Sequence, residues 1–180
     1  MTSVEWVAGK VRFVDQTRLP SEEVLVETSD YRVVGDAIKQ LKIRGAPAIG
    51  VAAAFALLLA VEEDLDSTDK LEAELFAAIN YLSQTRPTAV NLFLALNRMR
   101  RTYQSASNSD VATIRQQLVE EALRIQQEDI DACRKIGEHG AKLISAGSSV
   151  LTHCNTGALA TAGEGGRHRA LLRSPRNKRR

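Results

Sequence analysis

The most apolar stretch of the chain runs through residues 43–60 and predicts a central helix. Residues 48–61 are apolar on all sides of a helical projection, which is typical of a helix buried on every face. Pro47 suits its first turn, because that position needs no N–H donor and the proline φ favours helix formation. The stretch is too short and too rich in alanine to span a bilayer comfortably. We therefore expect the rest of the domain to pack around this helix.

Before this helix, the pattern predicts a hairpin and a first helix. Residues 11–15 and 24–28 alternate weakly between apolar and polar positions, which indicates two short strands around a turn at residues 19–21. Apolar residues at helical spacing follow from 33 to 41, and Asp30 is a suitable N-cap.

After the central helix, three amphipathic helices are predicted. The first is capped by Ser67 or Thr68, the second spans about residues 90–103, and the third runs from an N-cap at Asp110 to about residue 144. The first has one apolar face, made of Leu71, Leu75, Ala78, Ile79 and Leu82. The second carries Val90, Leu94, Leu96 and Met99. In the third, Cys133 lies on the apolar stripe and predicts a small core residue, whereas Glu128, Asp129 and Asp131 predict a solvated face.

Residues 149–153 read as a short buried strand that leads into a polar turn at residues 154–157 and a run of small residues. A strand, a glycine turn and a helix start open an α/β unit, in which ligands lie at the carboxyl ends of strands. Helix-start N–H groups beside Cys154 would favour the reactive thiolate. The alternative is a small residue that fills a tight turn. His153 faces the opposite side of the strand, so no Cys–His pair is predicted.

Composition narrows the class of protein. The 180 residues include only two cysteines, with no C-x-x-C pair, which argues against a disulfide framework or a zinc site. The first ten residues carry charges and lack the apolar core of a signal peptide. A cytoplasmic location is therefore expected.

Charge is divided unevenly along the chain. Residues 164–180 hold seven basic residues and one acid, a net charge of +6, whereas residues 1–163 hold 17 basic and 21 acidic residues, a net charge of −4. The body of the chain is mildly acidic and gives no reason to expect nucleic-acid binding. No membrane partner is expected either.

Two arginines precede prolines at predicted helix starts. Arg44 and Gly45 lie just before Pro47, and Arg86 lies directly before Pro87. Free N–H groups and the positive end of the helix dipole collect at a helix start, so a phosphate could be held there by backbone and arginine together. Either arginine alone could be an ordinary surface residue beside a proline-started helix. Two such starts in one small domain favour a shared anionic ligand.

Four motifs in this order resemble the S-methyl-5-thioribose-1-phosphate isomerase family: residues 43–50, 85–91, 136–141 and 151–163. That family belongs to a superfamily that includes ribose-1,5-bisphosphate isomerases and regulatory subunits of a translation-initiation nucleotide exchange factor. The arginine–proline pairs and the cysteine turn resemble the isomerases more than the regulatory subunits. The alternatives are a ribose-1,5-bisphosphate or related sugar-1-phosphate isomerase and a non-catalytic regulatory subunit.

The resemblance implies a function in methionine salvage, the isomerisation of 5-methylthioribose 1-phosphate to 5-methylthioribulose 1-phosphate. It implies that Arg44, Gly45, Ala46 and Arg86 bind substrate and that Cys154 is the catalytic thiol. It implies a sugar phosphate as the partner, no metal and no cofactor, and a homodimer for full-length relatives.

The expected fold is an α+β N-terminal domain over residues 1–146, a short β hairpin plus a helical bundle. Residues 147–163 would begin a truncated Rossmann-like α/β domain with its first strand. Residues 164–180 depart from the family inside a motif, which predicts a disordered, frameshifted tail; a genuine basic tail for nucleic acid or membrane is the rival interpretation. The family's catalytic aspartate has no counterpart in these 180 residues, so this chain is expected to be an inactive fragment.

Overall fold

Helix α2, Ala46–Ala60, lies at the centre of the fold, and residues 48–60 are all buried. The structure, a computed structural model, describes residues 2–61, 65–145, 147–151, 153 and 157–162. Helices α1 (Tyr31–Lys39), α3 (Thr68–Ser83), α4 (Val90–Ala106) and α5 (Val111–Ala141) pack around α2, together with a small sheet. The prediction of a helix buried on every side is confirmed.

The sheet has three antiparallel strands in the order β1 (Val4–Val7), β2 (Lys10–Val14) and β3 (Leu25–Thr28). The predicted hairpin corresponds to β2 and β3, with Phe13 paired to Val26. Strand β1 was not predicted, because four residues give too short a pattern to detect. It nevertheless contributes to the core: Val4 is fully buried, and the Trp6 ring lies 6.0 Å from that of Phe55 in α2.

The helix predictions agree with the structure in type and, to within a few residues, in extent. Asp30, Ser67 and Asp110 each accept a hydrogen bond from the first turn of α1, α3 and α5, as expected of N-caps. The buried face of α3 is the predicted one. Helix α1 ends at Lys39, two residues early, and α5 ends at Ala141. No helix in the described ranges is long and apolar enough to cross a membrane.

The predicted strand over residues 149–153 is not confirmed. Residues 147–151 and 153 form no strand, and Leu151 is 99% exposed. A buried parallel strand needs neighbours that pair its backbone groups and cover both of its faces. Strands β1 to β3 pair only with one another, so the described residues offer it no such neighbour. Of the predicted fold class, the described residues therefore show the small sheet with packed helices, and not the start of a Rossmann-like domain. The predicted tail, residues 164–180, lies outside the described residues.

Candidate functional site

The predicted anion-binding turn leads directly into the buried helix. Gly45 is the N-cap of α2 and has a φ of +98°, a conformation that glycine adopts far more readily than other residues. A Cβ at this position would lie 2.4 Å from the Cα of Ala160. The turn therefore needs glycine for two reasons, its backbone angle and the close approach of a second chain segment.

We term that second segment, residues 157–162, the closing segment. It contains a 3-10 turn over Ala158–Ala160 and lies beside the start of α2. Ser3 Oγ donates to the Thr161 carbonyl at 2.6 Å, and the Ala162 N–H donates to Asp129 Oδ2 at 2.7 Å. The closing segment is thus attached both to the sheet side of the domain and to α5.

Gln16 connects the closing segment to Arg44. Its Nε2 donates to the Leu159 carbonyl at 2.7 Å, and its Oε1 accepts from Arg44 Nε at 3.2 Å. Gln16 is only 3% exposed, whereas Arg44 is exposed. A buried amide therefore orients an exposed guanidinium.

Asp129 differs from the solvated acid that the sequence predicted. It is half-buried on α5, accepts the Ala162 N–H, and lies 3.9 Å from the Cys133 Sγ. Burial raises the pKa of its carboxyl, and the hydrogen bonds from Ala162 and Cys133 partly oppose that effect. The prediction was wrong because the partner of Asp129 is a backbone group 33 residues away in the sequence. Cys133 itself is buried, which confirms the prediction of a core residue.

Arg86 lies in the turn between α3 and α4 and is half-buried. Its carbonyl accepts from the Ala89 N–H at 3.0 Å, while its guanidinium makes no hydrogen bond or ion pair with the described residues. The Thr85 hydroxyl before it closes α3 on the Leu82 carbonyl at 2.7 Å. Arg86 therefore has a defined backbone and a free charged end.

The starts of α2 and α4 lie side by side. A Cβ on Gly50 of α2 would lie 2.9 Å from the carbonyl oxygen of Asn91, the second residue of α4. Gly50 is four residues into its helix, which corresponds to about 6 Å along the axis. The start of α4 thus packs against α2 at a point about one helical turn along the axis from the start of α2.

These two helices also differ from the other α-helices that the structure describes. Helices α1, α3 and α5 each have an N-cap side chain that accepts a first-turn N–H. Helices α2 and α4 have Gly45 and Ala89 at that position, with no side-chain hydrogen bond from the cap. First-turn N–H groups need an acceptor, and an anion can supply one.

The structure brings Arg44, Gly45 and Ala46 together at the start of α2 and places Arg86 before the adjacent start of α4. Cys154 lies outside the described residues, and His153 is exposed. The described ranges contain no group of three or more histidine, cysteine, aspartate or glutamate side chains that could hold a metal ion.

Sequence reasoning missed three side chains that attach the closing segment to the rest of the domain, those of Ser3, Gln16 and Asp129. Each acts through a backbone group of the closing segment, which no local pattern reveals. Of these, only Gln16 gave a signal in the sequence, since it lies in the polar run at residues 15–17 that directly follows the buried strand β2.

Comparison with known proteins gives a family match and close relatives. Residues 42–179 match the model of the Initiation factor 2 subunit family. The chain is 49% identical over 164 residues to a methylthioribose-1-phosphate isomerase from Geotalea uraniireducens, an alignment that covers 91% of this chain and 47% of the relative. It is 50% identical over 161 residues to a 5-deoxyribose 1-phosphate isomerase from Moorella thermoacetica, covering 88% of this chain and 46% of the relative.

Two solved structures have the same fold over this length. A 5-methylthioribose 1-phosphate isomerase from Pyrococcus horikoshii OT3 superposes with a TM-score of 0.90 at 37% identity, covering 94% of this chain and 48% of that one. A structure described as translation initiation factor eIF-2B, subunit delta, from A. fulgidus superposes with a TM-score of 0.85 at 36% identity, covering 96% and 51%. The chain spans about half the length of the curated relatives it matches. Because the family match covers well over half of its residues, the chain belongs to the Initiation factor 2 subunit family.

Proposed function

We propose that this chain carries the phosphate-binding side of a sugar-phosphate isomerase site, of the type that converts 5-methylthioribose 1-phosphate to 5-methylthioribulose 1-phosphate. One observation carries the proposal: two helix starts without side-chain caps belong to helices in contact, with Arg44 two residues before α2, Arg86 four residues before α4, and the start of α4 packed against α2 about one turn from its start. Two arginines and several free N–H groups suit a phosphate dianion. The names of the relatives support the same class of substrate.

In the proposed reaction the sugar ring opens first, because a glycosyl phosphate has no free aldehyde. The C1–O4 bond breaks and O4 takes up a proton. The hydrogen on C2 then moves to C1 and the C2 hydroxyl loses its proton, so that C2 is oxidised to a carbonyl and C1 is reduced, while the phosphate stays on O1. Arg44, Arg86 and the N–H groups of Gly45 and Ala46 would hold that phosphate. Proton transfer needs positioned acid–base groups in a site that excludes water. Cys154, the proposed catalytic thiol, precedes the closing segment by three residues.

We propose that the groups on the other side of the sugar belong to a part of the isomerase that lies outside the described residues. The relatives are about twice as long as the matched region. We propose that residues 149–153 form the first strand of a Rossmann-like domain once neighbouring strands cover it, and that the complete isomerase is a homodimer. The exposed Val150 and Leu151 support this proposal, since apolar residues of a strand are normally covered.

A second candidate substrate is 5-deoxyribose 1-phosphate, because one relative is named as a 5-deoxyribose 1-phosphate isomerase. The two sugars share the ribose 1-phosphate part and differ at C5. The proposed contacts of Arg44 and Arg86 are to the shared phosphate. Binding through these arginines alone should therefore discriminate little between the two sugars.

Titration calorimetry of the 180-residue chain with 5-methylthioribose 1-phosphate tests the proposal. Arg44→Met and Arg86→Met should each weaken binding by about tenfold or more, the loss of a charged hydrogen bond. Arg101→Met is the matched control, because Arg101 is an exposed arginine of α4 away from the helix start. Equal affinity in all four proteins, or no binding to the unaltered chain, would refute the proposed phosphate site. 5-Deoxyribose 1-phosphate, titrated in parallel, should bind within a few-fold.

A further inference from the structure

Gln16 makes hydrogen bonds to two parts of the proposed site at once. It follows β2 and is 3% exposed, and its backbone N–H donates to the Lys42 carbonyl at 3.0 Å. Its side-chain oxygen accepts from Arg44 Nε, and its side-chain nitrogen donates to the Leu159 carbonyl. Both polar atoms of the side chain are therefore used, one on each side of the site.

The chemistry of the two partners requires an amide at this position. Arginine Nε can only donate and a backbone carbonyl can only accept, so the residue between them needs one acceptor and one donor. An ionised glutamate would have no donor for Leu159, and a methionine of similar length would have neither group. The partners also determine which way the amide points.

The hydrogen bond to Nε constrains the guanidinium without occupying its outer edge. The terminal nitrogens of Arg44 have no partner among the described residues. They remain available for an anion while the plane of the group is held. An exposed arginine otherwise loses about 2 kcal/mol of rotamer entropy when it is immobilised. Ordering the side chain in advance reduces that cost on binding.

We propose that Gln16 is a positioning residue of the sugar-phosphate site, which holds the Arg44 guanidinium in fixed relation to the closing segment. The proposal rests on the proposed function, because it assigns Gln16 a role through Arg44. Gln16 itself does not touch the substrate. It sets the orientation of a group that does.

The test is a double-mutant cycle on the 180-residue chain with 5-methylthioribose 1-phosphate. Gln16→Met should raise the Kd by about fivefold, the effect of one hydrogen bond. In the Arg44→Met background the same change should have no further effect, because Gln16 acts through Arg44. Hydrogen exchange of the Arg44 Nε–H, followed by NMR, should become faster in Gln16→Met without any ligand present.

Ser3→Ala is the matched control for a merely structural role. Ser3 is 1% exposed and also bonds the closing segment, at Thr161, but it makes no hydrogen bond to Arg44. It should change the Kd by less than twofold. An equal loss in Ser3→Ala and Gln16→Met, or a full fivefold loss by Gln16→Met in the Arg44→Met background, overturns the inference.

Gln16→Glu serves if Gln16→Met does not fold. Its carboxylate can still accept from Arg44 Nε, but its negative charge offsets the positive charge of the guanidinium and it cannot donate to the Leu159 carbonyl, so it should raise the Kd at least as much as Gln16→Met. An unchanged Kd overturns the inference. The two proposals can fail separately. An unchanged Kd in Arg44→Met refutes the proposed function. Weaker binding in Arg44→Met, with an unchanged Kd in both Gln16 variants, refutes only the role of Gln16.

Discussion

Gly45 is subject to two constraints that can be separated by experiment. Gly45→Ala should destabilise the fold by more than Gly9→Ala, because both glycines have positive φ but only Gly45 contacts another segment. Backbone strain of this kind costs on the order of 1–3 kcal/mol. The clash with Ala160 adds to it at Gly45 alone. Urea unfolding of the two variants measures the difference, and equal losses would contradict the close contact with the closing segment.

Asp129 gives a prediction about pH. Its pKa is raised above the ordinary value of 3.8, chiefly by burial, so the folded state binds more protons than the unfolded state just above that pH. Its ionisation therefore lowers the free energy of unfolding as the pH rises from 3.8, until the folded group is itself ionised. Asp129→Asn keeps an oxygen for the Ala162 N–H and removes the titration.

The free energy of unfolding of Asp129→Asn, relative to the unaltered chain, should accordingly rise over that interval and then level off. Other carboxyls with shifted pKa values, such as Glu128, are present in both proteins and cancel in the difference. Urea unfolding of both proteins at a series of pH values measures this difference in the free energy of unfolding. A difference independent of pH would contradict the half-buried state of Asp129.

At the scale of elements, the contact of α2 with α4 determines whether the two arginines can share a ligand. Gly50→Ala would place a Cβ against the backbone carbonyl of Asn91, which cannot swing aside. Overpacking of this kind costs about 1–3 kcal/mol, which outweighs the gain of about 1 kcal/mol in helix propensity.

Gly35→Ala in α1 is the matched comparison for binding, because its new Cβ would clash with the ring of Tyr81 rather than with α4. Both variants should lose stability in urea unfolding, but only Gly50→Ala should also weaken binding of the sugar phosphate. Equal weakening of binding by the two variants would contradict a role of the α2–α4 contact in the site.

Some helices and strands could be predicted from the sequence, and others could not. Helical periodicity and caps such as Ser67 and Asp110 are local signals, and they predicted the helices well. The strand over residues 149–153 was not confirmed, because its expected neighbours are not among the described strands. Gln16 and Asp129 escaped because their partners lie far away in the sequence. Arg44 and Arg86 were singled out because an arginine close before a proline is a local pattern, although α4 begins at Val90 rather than at Pro87, and their role stays a prediction.

At the scale of the molecule, the 180-residue chain should bind the sugar phosphate without converting it. The relatives use about twice this length, and the proposed reaction needs acid–base groups on both sides of the sugar. A coupled assay for 5-methylthioribulose 1-phosphate should detect no product. Turnover that disappears in Cys154→Ser would contradict this prediction and show that these residues suffice.

We propose that one anion bridges the starts of α2 and α4. NMR of the 15N-labelled chain during titration with 5-methylthioribose 1-phosphate tests it most directly. The amide signals of Gly45 and Ala46 should shift together with those of Val90 and Asn91, with one common Kd. Shifts confined to one helix start, or two different affinities, would contradict the shared site.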